Sequence, residues 1–290
     1  MRIGWIGTGV MGEPMAAHVL KAGMEVVVTT RTKHKAQPLL DAGATWAETP
    51  AEAADGADAV VSIVGFPNEV EEVHLGPHGT LSATKVPSLV IDCTTSEPVL
   101  AERIAAEATS RGALALDAPV SGGDVGAQAG TLSVMVGGDQ AAFDRARPIF
   151  DAFGEVVVRQ GGPGAGQRTK AVNQILVASA TISCCEAMVF AVKSGLDPAT
   201  VLESVSRGAA SSWTLTNLAP RMLDRDFDPG FKLEHFVKDL GIAVAEADRL
   251  DIPLQGLRLA RRLYQGALEA GHGDRGTHGI LLALEAEVGL

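Results

Sequence analysis

The sequence has little cysteine, and its few cysteines are poorly placed for disulfides. Only Cys93, Cys184 and Cys185 occur among 290 residues; two of them are adjacent, and all three lie in apolar runs. A secreted domain built on disulfides needs a larger, evenly spaced set of cysteines. The pattern therefore predicts a protein of the reducing cytoplasm.

Basic charge is also scarce, because 24 basic residues stand against 35 acidic ones and the formal net charge is −11. A surface of that sign repels the phosphates of nucleic acids and of anionic membranes. Neither is an expected partner. No cluster of histidines and cysteines has the spacing of metal ligands, so no metal is expected.

Long uninterrupted apolar segments are missing as well. The longest apolar region, Ile175 to Val192, is broken by Ser179, Ser183 and Glu186, which favours a buried helix over a membrane span. The N-terminal MRIGWIG is interpreted as a strand and not as a signal peptide, because no apolar core or cleavage site follows it.

Short runs rich in valine and isoleucine alternate with helical patterns through the first half of the chain. The predicted strands are Arg2–Ile6, Glu25–Thr30, Ala59–Val64, Leu89–Cys93, Leu114–Ala118, Leu132–Val136 and Val156–Val158. Helical patterns such as Gly12–Ala22 and Pro98–Arg111 separate them. Apolar strands joined by helices predict a Rossmann-type, doubly wound α/β sheet, mostly parallel and covered on both faces.

Only helical periodicity is visible after Gly166. The segment Gln167–Ser194 is apolar on most sides, so protein must surround it, and we interpret it as a long interdomain helix shared with a partner subunit. The expected domains are a cofactor-binding domain, 1–162, and an all-helical substrate and oligomerisation domain, 163–290, with a hinge at Gly161–Gly164. A homodimer or homotetramer is expected. Gly271–Gly276 is a predicted loop before the last helix.

The segment Gly7-Thr8-Gly9-Val10-Met11-Gly12 has the spacing G-x-G-x-x-G. This motif is weak evidence in a chain with 33 glycines, but here it follows the first strand directly and opens a helix. Gly7 permits a tight turn, Gly9 lets the backbone approach a pyrophosphate, and Gly12 lets helix and strand pack closely. We expect a dinucleotide to contact Gly7 and Gly9–Gly12, at the helix N-terminus. The alternative is a tight turn that binds nothing.

The end of the second strand bears on the choice between NAD and NADP. NAD enzymes usually carry an acidic residue there to bind the ribose 2′-hydroxyl, but residues 28–35, VTTRTKHK, contain none. Arg31 could bind a 2′-phosphate through two hydrogen bonds, Thr32 could donate its hydroxyl, and Lys35 could neutralise charge. NADP is therefore favoured, with NAD as the alternative. A solvated basic loop is the other interpretation.

Three further segments carry candidate site residues. Val64 and the hydroxyl-rich 92–96, DCTTS, end strands where the nicotinamide would lie. In 117–127, DAPVSGGDVGA, Ser121, Gly122 and Gly123 offer one hydroxyl and successive amides, which suit a carboxylate. The alternative there is a connection that uses glycine only for flexibility.

A lysine lies one turn into the long helix, after the glycines of 161–166. Lys170 shares a face with Asn173 and Gln174 among apolar residues. Partial burial lowers the pKa of an ammonium group and makes it a usable proton donor and acceptor, although a helix-surface lysine is the simpler interpretation. Further on, Lys238 and Asp239 alone would indicate an ordinary ion-pair face.

Four motifs occur in this order: the glycine turn, the strand end with the serine–glycine run, the helix with Lys170, and the segment around Lys238. Together they resemble the β-hydroxyacid dehydrogenase family, which includes 3-hydroxyisobutyrate dehydrogenases and tartronate, glyoxylate and succinic semialdehyde reductases. The resemblance covers essentially the whole chain, and DAPVSGGDVGA and GPGAGQRTK are its most specific parts. It implies hydride transfer between a nicotinamide cofactor and a small β-hydroxyacid or aldehyde acid, and NADPH in the glyoxylate-reductase branch. The implied roles are catalytic acid and base for Lys170, carboxylate binding for Ser121–Gly123, cofactor contact for Thr95 and Lys238, and substrate contact for Phe231 and Asp239.

The sequence departs from the family pattern at two positions. The family usually has asparagine four residues after the lysine, whereas this chain has Asn173 at plus three and Gln174 at plus four. His235 stands where an apolar residue is usual. Two alternatives remain: an imine reductase, which usually lacks the lysine, and an NADP-binding subunit without turnover.

Overall fold

A computed structural model describes all 290 residues, which divide into two compact units, 1–170 and 171–290. The first unit contains nine strands: β1 Arg2–Ile6, β2 Glu25–Thr29, β3 Thr45–Trp46, β4 Ala59–Ser62, β5 Leu89–Asp92, β6 Leu114–Asp117, β7 Val120–Ser121, β8 Leu132–Gly138 and β9 Gly154–Gly161. The helices of this unit are α1 Gly12–Lys21, α2 Gln37–Asp41, α3 Pro50–Ala54, α4 Pro67–Leu75, α5 Pro98–Ser110, α6 Gly123–Ala129 and α7 Gln140–Phe153.

All nine strands form one sheet in the order β3-β2-β1-β4-β5-β6-β8-β7, with β9 beside β8. Every pair from β3 to β6 is parallel, whereas β8 is antiparallel to β6 and to β7. The predicted Rossmann-type, mostly parallel sheet is confirmed. Its carboxyl-terminal edge carries the turns and loops in which the sequence placed the cofactor.

Two apolar layers cover the sheet, and β1 shows how they arise. Ile3 and Trp5 pack into one core and Ile6 into the other, because successive side chains of a strand point to opposite faces. Gly4 faces α3 so closely that a Cβ there would lie 2.5 Å from the Ala53 carbonyl oxygen. The strand is therefore buried on both sides, as its continuous apolar run requires.

Helix α8, Ala165–Lys193, begins in the first unit and ends in the second. The other helices of the second unit are α9 Pro198–Val205, α10 Trp213–Asn217, α11 Ala219–Leu223, α12 Leu233–Arg249, α13 Gln255–Ala267 and α14 Ile280–Glu287. One apolar core unites them, with the Phe236 ring edge-on to Tyr264 at 4.8 Å. The predicted all-helical domain and its long helix are confirmed.

Several local predictions were wrong. The two-residue strands β3 and β7 were missed, because runs that short carry no periodicity. The predicted loop Gly271–Gly276 begins inside a single π-helical turn, Leu268–His272, in which Gly271 has φ +90°. Helix α8 leaves Leu176 and Phe190 largely exposed in one chain, so its sharing with a partner subunit stays a prediction. By length and composition alone α8 could cross a membrane, a test that core helices of soluble proteins also pass.

Candidate active site

The turn between β1 and α1 leaves space that no side chain fills. Gly7 has φ +98°, and a Cβ there would lie 2.1 Å from the Ile63 carbonyl oxygen, while one on Gly12 would lie 2.2 Å from that of Gly7. Beside Gly9 no atom lies within 4 Å of a Cβ position. The hydroxyl of Thr8 is buried there with no hydrogen-bond partner. An open backbone and an unpaired donor at a helix N-terminus fit a pyrophosphate.

The rest of this turn and the loops facing it hold further candidate residues. Val10 is exposed and Met11 is half-buried at the start of α1. Val64 follows β4, and its amide donates to the Thr94 hydroxyl at 3.0 Å. Thr95 is half-buried in the loop after β5.

The loop after β2 forms an ion pair with Glu69, a residue to which the sequence analysis assigned no role. Arg31 has a side chain that is 84% exposed and forms an ion pair with Glu69. Glu69 in turn accepts hydrogen bonds from the amides of Gly65, at 2.8 Å, and Phe66, at 3.2 Å, where α4 begins. The guanidinium is thus held in place by the turn after β4. Thr32 is half-buried beside it, whereas Lys35 is exposed.

A buried network of hydrogen bonds supports the loop after β5. The Ser62 hydroxyl donates to Asp92 Oδ1 at 2.8 Å, and His74 contacts Ser62 Oγ through Nε2 and Thr80 Oγ1 through Nδ1, both at 2.8 Å. Burial lowers the pKa of His74 to about 4, so the ring is neutral. Because Ser62 gives its proton to Asp92, Nε2 must carry the histidine hydrogen and Nδ1 must accept from Thr80. Asp92 also accepts from the Thr94 amide at 3.1 Å.

Lys170 is buried, with 7% of its surface exposed, and its ammonium donates to the carbonyl oxygen of Val120 at 2.9 Å. Val120 immediately precedes Ser121, the first residue of the predicted carboxylate site. Gly122 and Gly123 follow with φ of +134° and +66°, conformations that suit glycine. The fold therefore brings the lysine to the backbone of the serine–glycine loop.

The start of α8 is fastened to two strand ends. Asp117, the last residue of β6, accepts hydrogen bonds from the amides of Gly164 and Gln167, both at 2.8 Å. The Gln167 side chain accepts from the Ser96 amide at 2.9 Å and donates to the Thr94 carbonyl oxygen at 2.8 Å. We assigned no role to Asp117 or Gln167 from the sequence, although both lie in its most specific motifs.

A chain of polar side chains lies in the second unit. Asn173 donates to Gln174 Oε1 at 2.7 Å, and Gln174 donates to Asp239 Oδ2 at 2.5 Å. Lys238 Nζ lies 2.9 Å from Asp239 Oδ1, and the Asp239 side chain is 2% exposed. This ion pair is therefore largely buried and does not lie on an exposed helix face. Phe231 lies two residues before α12 and is 37% exposed.

His235 is half-buried on the same helix. Burial and the charge of Lys238 lower its pKa.

Comparison with known proteins agrees along the whole chain. Residues 2–162 match the family described as the NAD binding domain of 6-phosphogluconate dehydrogenase. Residues 164–284 match the family described as NAD-binding of NADP-dependent 3-hydroxyisobutyrate dehydrogenase.

Individual relatives match over nearly full length. The probable 3-hydroxyisobutyrate dehydrogenase-like 1, mitochondrial, of Arabidopsis thaliana is 47% identical over 98% of this chain and 85% of its own. The 2-hydroxy-3-oxopropionate reductase of Escherichia coli is 37% identical over 98% and 97%. The crystal structure of 3-hydroxyisobutyrate dehydrogenase from Salmonella typhimurium has a TM-score of 0.88 at 32% identity, covering 98% and 99%.

The chain belongs to the β-hydroxyacid dehydrogenase family. The resemblance seen in the motifs is confirmed, and with it an oxidoreductase that uses a nicotinamide cofactor and acts on CH–OH donors among small substrates. In this family member the glycine turn, the loop after β5, the serine–glycine loop and Lys170 all belong to the first unit, whereas Gln174, Lys238 and Asp239 belong to the second.

Proposed function

We propose that this protein transfers a hydride between NADP(H) and a small β-hydroxyacid or its aldehyde acid, in the class of 3-hydroxyisobutyrate, glyoxylate, and succinic or tartronate semialdehyde. One observation carries the proposal: the Lys170 ammonium lies 2.9 Å from the carbonyl oxygen of Val120, next to the serine–glycine loop. A proton donor beside an anion site suits the reduction of an aldehyde acid. The names of the relatives, which are hydroxyacid dehydrogenases and reductases, support the same class.

The cofactor supplies the hydride when it is bound. In this proposal Gly7, Gly9, Val10, Met11 and Gly12 hold the pyrophosphate, since the turn is open and the Thr8 hydroxyl is unpaired. Val64, Thr95 and Lys238 supply the remaining contacts.

The preference for NADP rests on Arg31, Thr32 and Lys35 as the group that binds the 2′-phosphate. Glu69 holds the Arg31 guanidinium, so a phosphate must share this cation with a carboxylate. The second matching family is described as NADP-dependent, which supports the choice.

The substrate carboxylate is bound by the Ser121 hydroxyl and the amides of Gly122 and Gly123. Lys170 then donates a proton to the oxygen of the reacting carbonyl as negative charge develops on it, and accepts that proton in the oxidative direction. Asn173 and Gln174 orient the reacting groups from the same helix, and Phe231 and Asp239 contact the substrate.

Domain organisation and assembly complete the proposal. The cofactor-binding domain is 1–162 and the substrate domain 163–290, and the protein works in the cytoplasm. Val172, Leu176, Phe190 and Val192 leave an exposed apolar surface on α8. A partner subunit in a homodimer or homotetramer would cover these side chains, because exposed apolar area is typical of interfaces.

The test is a screen of hydroxy acids and semialdehydes with both cofactors, followed by Lys170→Ala on the best substrate. We expect the variant to lower kcat by roughly 10² to 10⁴, the usual effect of a positioned general acid. The Kd of the cofactor should hardly change. The matched control is Lys193→Ala at the other, exposed end of the same helix, which should keep full turnover. Near-normal kcat in Lys170→Ala would overturn the mechanism.

The same screen tests the two alternatives. An imine reductase would reduce cyclic imines better than any aldehyde acid. A subunit without turnover would bind NADPH, but none of the substrates tested would cause it to oxidise NADPH.

A further inference from the structure

We propose that Asp117 is a positioning residue for Lys170. Its carboxylate, at the end of strand β6, caps the N-terminus of α8 and so fixes the position of the Lys170 ammonium along the helix axis. This inference rests on the proposed function, because it matters only if Lys170 moves the proton. The cap, the second tether beside it and the lysine's own acceptor all lie in the first unit and support the inference independently.

The first amides of a helix have no partner within the helix, and a short polar side chain at the N-cap usually binds them. In α8 the N-cap residue is Gly164, which has no side chain and has φ +82°. Asp117 takes over this role from 47 residues earlier in the chain. Its Oδ1 binds the Gly164 amide and its Oδ2 binds the Gln167 amide, both at 2.8 Å. The helix therefore starts where β6 ends.

Two glycines pack closely against Asp117. A Cβ on Gly137 would lie 2.4 Å from Asp117 Oδ1, and one on Gly166 would lie 2.4 Å from the carbonyl oxygen of Asp117. Only glycine fits at either position, so the backbone of both glycines packs directly against Asp117.

Gln167 provides the second tether. It bonds to the Thr94 carbonyl oxygen at 2.8 Å and to the Ser96 amide at 2.9 Å, in the loop after β5. Strands β5 and β6 are neighbours, with Asp92 opposite Asp117. The first turn of α8 is consequently fixed to two adjacent strand ends.

Lys170 follows Gln167 by three residues, less than one helical turn. Its ammonium bonds to Val120, three residues after Asp117. The same short segment, 117–120, therefore carries both the cap of the helix and the acceptor of its lysine. A shift of the first turn would move the ammonium against its acceptor, and a displacement of about 1 Å can cost on the order of 10²-fold in rate.

The cap depends on charge. A carboxylate accepts on both oxygens, whereas a protonated carboxyl carries a hydrogen on one of them and must release one amide. Burial raises the pKa of Asp117 to about 6 against the two amide hydrogen bonds, and the charge of Asp92 adds to the rise. The other charged groups near the cap are Lys170 and the ion pair of Arg168 with Glu102, 2.5 Å apart. As the pH falls through about 6, the cap therefore loses one of its two amide hydrogen bonds.

Losing this hydrogen bond does not itself unfold the protein. The pKa of Asp117 is raised from its ordinary value of 3.8, so the folded state binds this proton more tightly than the unfolded chain does. Ionisation of Asp117 therefore lowers stability as pH rises from about 4 to about 6, and protonation restores it. A fall in kcat over this window that is not matched by unfolding would distinguish positioning from stability.

The test measures kcat for aldehyde-acid reduction from pH 5 to 9 in the wild type and in Asp117→Asn. We expect the wild-type kcat to fall below about pH 6. In Asp117→Asn we expect kcat at pH 7.5 to be roughly 10- to 100-fold lower and then flat on the acid side, with the Kd of NADPH unchanged.

Two further variants keep the test decisive. Asp139→Asn is the matched control, because Asp139 caps α7 from its own N-cap position, bonding the Ala141 amide at 2.7 Å. It should keep both kcat and the acid limb. Gln167→Met removes only the second tether, so kcat should fall several-fold while the acid limb remains; this variant decides the matter if Asp117→Asn does not fold.

An acid limb that persists in Asp117→Asn, or a normal kcat in either tether variant, would overturn the proposal. If Lys170→Ala turns over normally, the proposed function itself fails. If Lys170→Ala loses activity and Asp117→Asn does not, only the positioning role fails.

Discussion

The two units hold their candidate site side chains through different kinds of hydrogen-bond partner. Around Lys170, in residues 1–170, the partners are backbone groups: Lys170 bonds to a carbonyl oxygen, Asp117 to two amides and Gln167 to one of each. In residues 171–290 the partners are other side chains, from Asn173 through Gln174 to Asp239.

This difference has a structural origin. The first unit places its site at strand ends, where the chain leaves the sheet and exposes amides and carbonyls that must be satisfied. A helix leaves such groups free only at its ends, so groups that meet along helix faces must bond through their side chains. Backbone anchors survive substitution of any single partner residue, whereas side-chain anchors do not.

Among these variants, the largest loss of stability is expected from substitution of Asp239. Asp239→Ala removes a buried carboxylate that bonds to Gln174 and pairs with Lys238, and it leaves both without this partner. Breaking a buried ion pair by removing one member costs about 3–5 kcal/mol. We expect a loss of that size in the free energy of unfolding, measured by urea denaturation.

A control on the same helix isolates burial as the cause. Asp248 pairs with Arg258 at an exposed position of α12, and Asp248→Ala should change the free energy of unfolding by less than about 1 kcal/mol. Equal losses in the two variants would contradict the distinction between buried and surface pairs.

A smaller effect, on cofactor affinity, is expected at Arg31. Its side chain pairs with Glu69, which itself accepts hydrogen bonds from two backbone amides. Each charge-assisted hydrogen bond contributes about 1.5–3 kcal/mol, so Arg31→Ala should weaken NADPH binding at least about tenfold and NADH binding little. Isothermal titration with both cofactors measures this, with exposed Lys21→Ala as the charge-matched control. Equal losses for the two cofactors would show that Arg31 does not read the 2′-phosphate.

The sequence predicted the parts of the fold that depend on local pattern. Strand β1 was placed with its observed bounds, and the long helix was placed within two residues at each end, because apolar periodicity is a local property. The direction of β8 could not be predicted, since an apolar run looks the same in either orientation.

The candidate site divides in the same way. The glycine turn and the serine–glycine loop could be proposed from the sequence because each follows directly on a predicted strand. Glu69, Asp117 and Gln167 could not, because the partners cited here lie 38 to 73 residues away and a polar residue in a loop looks solvated in the sequence. The burial of Asp239 depends on a bond to another helix, which no spacing reveals.

The central claim is that the loop at Ser121–Gly123 binds the carboxylate of the substrate. The most direct measurement compares kcat/KM with NADPH for succinic semialdehyde against butanal and for glyoxylate against acetaldehyde. A lost methylene in an apolar pocket changes kcat/KM by about 10- to 200-fold, whereas unpaired polar groups in a site cost far more. We predict that each acid exceeds its neutral counterpart by more than about 200-fold and that Ser121→Ala narrows this ratio. Neutral aldehydes that match or exceed the acids would contradict the account, even if Lys170 proves catalytic.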